Sequence, residues 1–203
     1  MTISSNAVRS SLRRATEASH ARLHEHPAFA RLLRAEIAFP EYRALLLRLL
    51  GLYLPIEEQL ARYAASPAFA WRVEAGPDDL CTARLRANLL GLGMDDAAIA
   101  GAPRADTFLP LLGNPAAALG CAWVVEGSAL GGRILARQVA VVFGPDAAAS
   151  SFFAPAPGQS ERWQACCAAV EACGADPTHS VAMCAAATAT FEAFEAWLGN
   201  WAV

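Results

Sequence analysis

The sequence predicts an all-α protein in which about seven helices form one bundle-like domain. Apolar residues recur at helical spacing, and no stretch alternates between apolar and polar residues as a half-buried strand does. Hydrophobic residues make up 55% of the chain and charged residues only 17%, a composition typical of a compact helical domain. Residues 1–203 are long enough for a sizeable core and are interpreted as a single domain.

Capping residues and a proline delimit the first two predicted helices. Ser4 or Ser5 can accept hydrogen bonds from the free N–H groups of a first helix turn, so a helix is predicted from there to about His24. Pro27 interrupts the pattern because proline has no N–H to donate. A short helix is then predicted over residues 28–36.

The third predicted helix has Pro40 in its first turn, where a missing N–H costs nothing. It bends near Pro55 and ends before Ser66–Pro67. The residues that this helix directs into the core are Tyr42, Leu45, Leu46, Leu49 and Tyr53. Residues 76–79 (Gly-Pro-Asp-Asp) open a fourth helix, which stops at Gly91.

The second half of the chain contains the longest predicted helix. Residues 94–113 include two prolines and are predicted to form a loop with at most one helical turn. A fifth helix runs from Asn114–Pro115 to Phe143, where Gly and Pro follow. Two more helices cover about 159–173 and 177–201.

Charge and composition exclude several classes of function. A net charge of −3 without a basic face argues against nucleic-acid binding, and no apolar run reaches the roughly 20 residues that span a bilayer. The N-terminus lacks a secretory signal, and no cysteine pair has zinc-site spacing. The cysteines are therefore interpreted as buried structural thiols of a cytoplasmic protein: Cys81, Cys121, Cys166, Cys167, Cys173 and Cys184.

The most informative segment is Glu-Gly-Ser-Ala-Leu-Gly-Gly-Arg at residues 126–133, inside the fifth helix. A glycine in a helix interior costs roughly 0.5–1 kcal/mol relative to alanine. Gly127, Gly131 and Gly132 therefore need a physical reason. A kink, close packing of another helix, or a flat ligand pressed against bare backbone would each supply one, and the residues alone leave these alternatives open.

Of the four histidines, His20 alone lies in the regular part of a predicted helix. His24 and His26 lie at the end of the first helix, and His179 lies in the first turn of the last, so these three are interpreted as surface or capping residues. An imidazole aimed into an apolar cleft is a standard axial ligand of haem iron.

Together the two segments resemble the heme oxygenase family, most closely its bacterial, biliverdin-producing branch associated with bacteriophytochromes. Leu12-Arg13-x-Ala15-Thr16-x-x-x-His20 is similar to the family's proximal helix, and residues 126–133 are similar to its distal helix. Residues 53–57 (Tyr-Leu-Pro-Ile-Glu) and Phe152-Phe153 followed by Trp163 also match, so the resemblance extends over residues 12–163.

The resemblance implies a role for particular residues. His20 would be the metal ligand, binding the haem iron, and Arg13 would meet a haem propionate. Gly127 and Ser128 would be the catalytic residues of the distal wall, where many family members carry Asp at the position of Ser128. The other residues implied to contact haem are Thr16, Glu17, Gly131, Gly132 and Arg133.

The resemblance also implies the reaction and its partners. Haem, with its iron, would be both substrate and cofactor, and O₂ with electrons from a reductase or ferredoxin would convert it to biliverdin, CO and ferrous iron. A bacteriophytochrome is the candidate biliverdin acceptor. After Trp163 the family often has basic propionate partners, whereas this chain has Gln164 and Cys167; Arg133 and Arg162 are the candidate substitutes.

Two other interpretations remain open from the sequence alone. Glu17-x-x-His20 and Asp176-x-x-His179 have the spacing of di-iron ligands, with Glu57, Glu58 and Glu126 as candidate bridging carboxylates. Alternatively, the protein binds haem or another flat ligand without converting it, as a carrier or sensor.

Overall fold

The computed structural model describes residues 7–72, 80–145 and 152–199. Those residues form α-helices and one 3-10 helix and contain no strand, which confirms the predicted all-α class. The helices are α1 (Ala7–Glu25), α2 (Pro27–Leu33), α3 (Phe39–Ala61), α4 (Cys81–Gly91), α5 (Asp96–Ala100), α6 (Pro115–Phe143), α7 (Gln159–Cys173) and α8 (Pro177–Leu198), and the 3-10 helix η1 is Pro67–Arg72.

All seven predicted helices are present. The additional α5 is the single turn allowed for in residues 94–113, and η1 was not predicted. α2 is shorter than predicted because Ala35 has a φ of 56°, in the left-handed region where a helix cannot continue. The predicted caps Ser4 and Ser5, and residues 76–79 that were predicted to open α4, lie outside the described residues.

α8 is the centre of the packing. It contacts both α1 and α6, and α7 also packs on α6. The backbones of the two helices come into contact at Gly120 of α6, where a Cβ atom would overlap the carbonyl oxygen of Met183 in α8. Only a glycine permits this backbone contact, which fixes the position of α6 relative to α8.

α3 contributes a large share of the core, and its predicted inward-facing residues are confirmed. Each of Tyr42, Leu45, Leu46, Leu49 and Tyr53 is at most 3% exposed. Pro55 lies inside α3, which continues past it to Ala61.

The cysteines form no disulfide and are buried or partly buried, as predicted. Burial raises the pKa of the Cys121 thiol to about 11, so this thiol stays protonated at neutral pH. In the described ranges, no helix combines the length and apolar character needed to cross a bilayer.

Candidate functional site

His20 projects from the side of α1, and two other rings restrain it. Its imidazole meets that of His24 edge to face, with 4.5 Å between ring centroids. The Phe191 ring of α8 lies 5.6 Å away on a nearly perpendicular plane. Desolvation, followed by the charge of His24, lowers the pKa of His20. Both effects favour the neutral imidazole, which is the form that binds a metal.

The resemblance implies that three other α1 residues contact haem, and they lie in two different environments. Arg13 and Glu17 are exposed and share the side of α1 that carries His20, because the spacings of four and three residues return to the same face. Thr16 is 3% exposed, and its hydroxyl donates to the carbonyl of Leu12 at 2.8 Å. The structure therefore places Thr16 within the packed side of the helix, next to the His20 face.

The three glycines of residues 126–133 have different surroundings. A Cβ at Gly132 would lie 2.8 Å from the Phe153 carbonyl oxygen, so this buried glycine is explained by close packing. A Cβ at Gly127 would touch the ring of Trp163 at 3.3 Å. At Gly131 a Cβ would meet no described atom within 4 Å. Of the alternatives left open by the sequence, packing thus accounts for Gly132 but not for Gly131.

The surface around Gly131 is apolar and uncovered in the described part of the chain. Leu130 is 46% exposed and Ile134 is 56% exposed; they lie one turn apart on α6, next to the exposed backbone of Gly131. Large apolar side chains beside bare backbone form a surface that a flat apolar ligand can cover closely.

Ser128 is connected to a buried tyrosine. Its hydroxyl donates to the carbonyl of Val125 at 2.7 Å, and the hydroxyl of Tyr53 lies 3.2 Å from Ser128 Oγ. Since a serine hydroxyl has one hydrogen and it points to Val125, Tyr53 is the donor and Ser128 the acceptor. Burial raises the pKa of Tyr53, so its proton is retained. Ser128 Oγ keeps a second lone pair for a further donor.

Tyr53 is a candidate site residue that the sequence prediction did not include. It was assigned to the core, where it does lie, but its hydroxyl reaches the distal helix across 75 residues of sequence. The sequence signal that could have identified Tyr53 is its position in residues 53–57, a segment that is part of the family resemblance.

α8 connects the two sides of the site. Phe191 contacts His20, and Phe194, one turn later, contacts the ring of Tyr53 with 5.6 Å between centroids. Tyr53 in turn bonds to Ser128. Aromatic residues of α8, together with Tyr53 of α3, therefore link His20 on α1 to Ser128 on α6.

The basic residues near the site are not equivalent. Arg162 lies 3.8 Å from Glu126 in an ion pair that joins α7 to α6, and it also donates to the carbonyl of Pro157. This arginine is therefore already engaged. Arg133 on α6 and Arg13 on α1 are both exposed and can turn toward a bound anion.

The carboxylates proposed for a di-iron centre have other partners. Glu57 accepts hydrogen bonds from the backbone N–H of Cys81 and from Thr82, and Glu58 pairs with Arg104. Glu126 pairs with Arg162. In residues 7–72, 80–145 and 152–199, no three metal-binding side chains converge. The di-iron interpretation therefore lacks a ligand set there.

A surface cavity of about 560 Å³ between α1 and α8 is separate from this site. Ser11 and Ala15 line it, and they lie on the side of α1 opposite to His20.

Comparison with known proteins identifies the family. The family model described as heme oxygenase matches residues 6–200. The chain belongs to the heme oxygenase family. A solved structure, the heme oxygenase from Leptospira interrogans, superimposes with a TM-score of 0.79 and 16% sequence identity, covering 95% of this chain and 98% of that one. At this identity the superposition shows a shared fold. No curated protein matches significantly by sequence.

Membership of the family makes the protein an oxidoreductase whose substrate is haem and whose product is biliverdin. The predicted family, fold and reaction are thereby confirmed, while the assignment to the bacteriophytochrome-associated branch stays a prediction. The residues at the site fit the substrate. His20 on α1 has a lowered pKa, α6 presents uncovered backbone at Gly131, and Phe191 of α8 packs against the His20 ring.

Proposed function

We propose that haem binds between α1 and α6, with His20 as the ligand of its iron and Gly131 against its distal face. The observation that carries this proposal is the pairing of a neutral, ring-restrained imidazole on α1 with uncovered glycine backbone on α6. O₂ and electrons from an external donor then open the porphyrin at a meso carbon, giving biliverdin, CO and ferrous iron. The bound haem supplies the iron at which O₂ is activated.

Ser128 and Tyr53 supply the polar part of the distal wall. The Tyr53 hydroxyl fixes Ser128 Oγ from one side, and the Val125 carbonyl fixes it from another. The remaining lone pair of Ser128 can hold an ordered water, which delivers protons to the reacting oxygen. A serine holds that water without adding the negative charge that an aspartate would bring.

Gly127, Gly131 and Gly132 would play separate parts. Gly131 lets the helix backbone approach the porphyrin, whereas Gly132 lets α6 approach Phe153 and so positions the helix. Gly127 leaves room for the Trp163 ring at the side of the site.

Arg13 and Arg133 are the basic residues proposed for the propionates. A guanidinium offers a two-pronged donor that matches a carboxylate. Glu17, one turn after Arg13 on the same face, would limit the directions in which Arg13 extends.

A reductase or ferredoxin is the proposed electron donor, and a bacteriophytochrome is the proposed biliverdin acceptor because the motifs resemble that branch of the family. The free thiols support a reducing, cytoplasmic location, since disulfides are rare there.

Single turnover with ascorbate as reductant tests the proposal. The haem-loaded protein is expected to lose its Soret band and gain the biliverdin spectrum in air. His20→Ala should bind haem more weakly, since the apolar surface survives, and should not convert it. His179→Ala, which removes an exposed histidine elsewhere, is the matched control. Normal turnover in His20→Ala would refute the ligand assignment, and haem binding without any conversion would support a carrier.

A further inference from the structure

Two histidines on α1 form a pair that the proposed haem site uses only in part. His20 and His24 are four residues apart, a spacing that puts side chains on the same face of a helix. Their ring centroids are 4.5 Å apart, and both residues are exposed. Only His20 has a role in the proposed haem complex. His24 therefore brings a second metal-binding imidazole next to the first, and the proposed function leaves it without a task.

The distance between the two rings fits a single metal ion bound by both. If an ion lies about 2.1 Å from one nitrogen of each ring, the two centroids are roughly 4.5–5.2 Å apart at angles of roughly 90–110°. The observed 4.5 Å matches the right-angled end of this range. Right angles between nitrogen ligands are typical of tetragonal sites for Ni²⁺ and Cu²⁺. Rotation about the Cβ–Cγ bonds, which is soft for histidine, is enough to turn one nitrogen of each ring toward the ion.

The charges around the pair favour a positive ion. Both histidines lie in the C-terminal half of α1, and His24 is in its last turn, where the helix dipole favours positive charge. Arg22 lies between them in sequence, but both oxygens of the Glu195 carboxylate accept from its Nε at 2.9 Å. A divalent cation at this end of the helix is therefore not opposed by an uncompensated arginine charge.

The pair is a two-nitrogen site, in which water would complete the coordination of the ion. In the described ranges, no three metal-binding side chains converge. The other two histidines are engaged elsewhere: His26 accepts a hydrogen bond from the N–H of Ala28, and His179 Nδ1 lies 3.2 Å from the carbonyl oxygen of Cys173. Imidazole ligands select Ni²⁺, Cu²⁺, Zn²⁺ and Fe²⁺ over Mg²⁺ and Ca²⁺, which prefer oxygen.

An ion on this pair and the haem iron would compete for His20. A neutral imidazole has one nitrogen with a free lone pair, because its other nitrogen carries a hydrogen. His20 therefore cannot bind the haem iron and a second ion at the same time.

We propose that His20 and His24 of the haem-free protein chelate one divalent transition-metal ion, and that this ion excludes haem. The exclusion rests on the proposed function, because it requires His20 to be the haem ligand, whereas the chelate itself does not. The ion can come from solution, or it can be the ferrous iron that the proposed reaction releases beside His20. In both cases the pair has to be emptied before the next haem binds.

Ni²⁺ is the probe for the chelate, because imidazole binds it well. Calorimetric titration of the haem-free wild type is expected to show one ion whose binding depends on both histidines. His20→Ala and His24→Ala should each weaken Ni²⁺ binding about tenfold or more, since the chelate loses one of its two nitrogens. His179→Ala is the matched control, because it removes an imidazole that lies beside a thiol. It should leave Ni²⁺ affinity within about twofold of wild type.

Haem titration in the presence of Ni²⁺ tests the exclusion. With Ni²⁺ at about ten times its Kd, the apparent Kd of the wild type for haem should rise about tenfold. In His24→Ala the same Ni²⁺ concentration should change the apparent Kd less than about twofold, relative to this variant without Ni²⁺. Iron release after single turnover, followed with a ferrous chelator, distinguishes the two sources of the ion. Slower release from the wild type than from His24→Ala would identify product iron as an occupant, and equal rates would restrict the pair to ions from solution.

Unchanged Ni²⁺ binding in His24→Ala would overturn the chelate, and so would an equal loss in His179→Ala. A different result would count against the proposed function alone. If Ni²⁺ binding depends on both histidines but leaves the haem affinity of the wild type unchanged, His20 is not the haem ligand and the metal site stands.

Discussion

Ser128 shows how one residue's environment determines what it can do. Its hydrogen is committed to Val125, and Tyr53 donates to it from the core. We expect Tyr53→Phe to slow single turnover about tenfold, because Ser128 loses the group that orients it. The haem affinity should change little, and the free energy of unfolding should fall by about 1 kcal/mol.

Tyr42→Phe is the control for this experiment. Tyr42 is a second buried tyrosine of α3, and its ring packs against Phe143 and Phe153 rather than near Ser128. A comparable loss of turnover in both variants would mean that the hydroxyl of Tyr53 has no special role.

Arg13 leads to a prediction about regiochemistry. It is exposed on the His20 face of α1, so the proposed pairing with a propionate would be screened by water and would contribute on the order of 1 kcal/mol to haem affinity. Arg162 is engaged with Glu126, which leaves few basic residues to fix the haem in rotation. Arg13→Ala should therefore yield a mixture of biliverdin isomers, measured by chromatography of the product.

Arg14→Ala, the neighbouring arginine on another side of α1, should keep the wild-type isomer ratio. If Arg13→Ala also keeps that ratio and the wild-type haem affinity, Arg13 is an ordinary surface residue.

Within helix α6, the neighbouring glycines Gly131 and Gly132 serve different purposes. Gly131→Leu should abolish haem binding, because the new side chain occupies the open space on the ligand side. The fold should be unaffected or stabilised by up to about 1 kcal/mol, since leucine favours a helix over glycine. Haem titration and thermal unfolding of the haem-free protein measure the two effects.

Gly132→Ala is the opposite case. Its Cβ would lie 2.8 Å from the Phe153 carbonyl, so the haem-free protein should lose about 1–3 kcal/mol of stability while retaining haem binding. Normal haem affinity in Gly131→Leu would contradict the assignment of that glycine to the ligand face.

The helices themselves were predictable because their signals are local. Prolines, caps and helical spacing indicated α1, α3, α6, α7 and α8 and the residues that α3 buries. Such signals do not determine where a short helix ends, and α2 stops early because Ala35 takes a left-handed conformation. The extra turns α5 and η1 are too short to show a period.

Only the sequence motifs of the candidate site could be predicted, and not the contacts between its residues. His20 and the glycine segment stand out in the sequence, but the bond between Tyr53 and Ser128 depends on how α3 packs on α6. The division between Gly131 and Gly132 depends in the same way on Phe153, a residue about 20 positions away in the chain. Tertiary contacts of this kind leave no periodic trace in a sequence.

For the molecule as a whole, the arrangement of the helices couples haem binding to stability. α1 and α6 each pack on α8. Haem bound as proposed, between His20 and Gly131, would add contacts between two helices that α8 otherwise connects. The native protein binds this ligand and the unfolded chain does not, so binding must stabilise the fold.

The stabilisation of the fold by haem depends on the haem concentration relative to its Kd. Haem at about 100 times its Kd should add about 2.7 kcal/mol, and a domain of this length gains roughly 2–4 °C in Tm per kcal/mol. We therefore expect haem to raise the Tm by about 5–10 °C in far-UV circular dichroism. His20→Ala at the same haem concentration should show a smaller rise, since its Kd is higher, and Gly131→Leu should show none. An equal rise in all three proteins would place the bound haem elsewhere on the molecule, because neither the proximal ligand nor the distal glycine would then contribute to holding it.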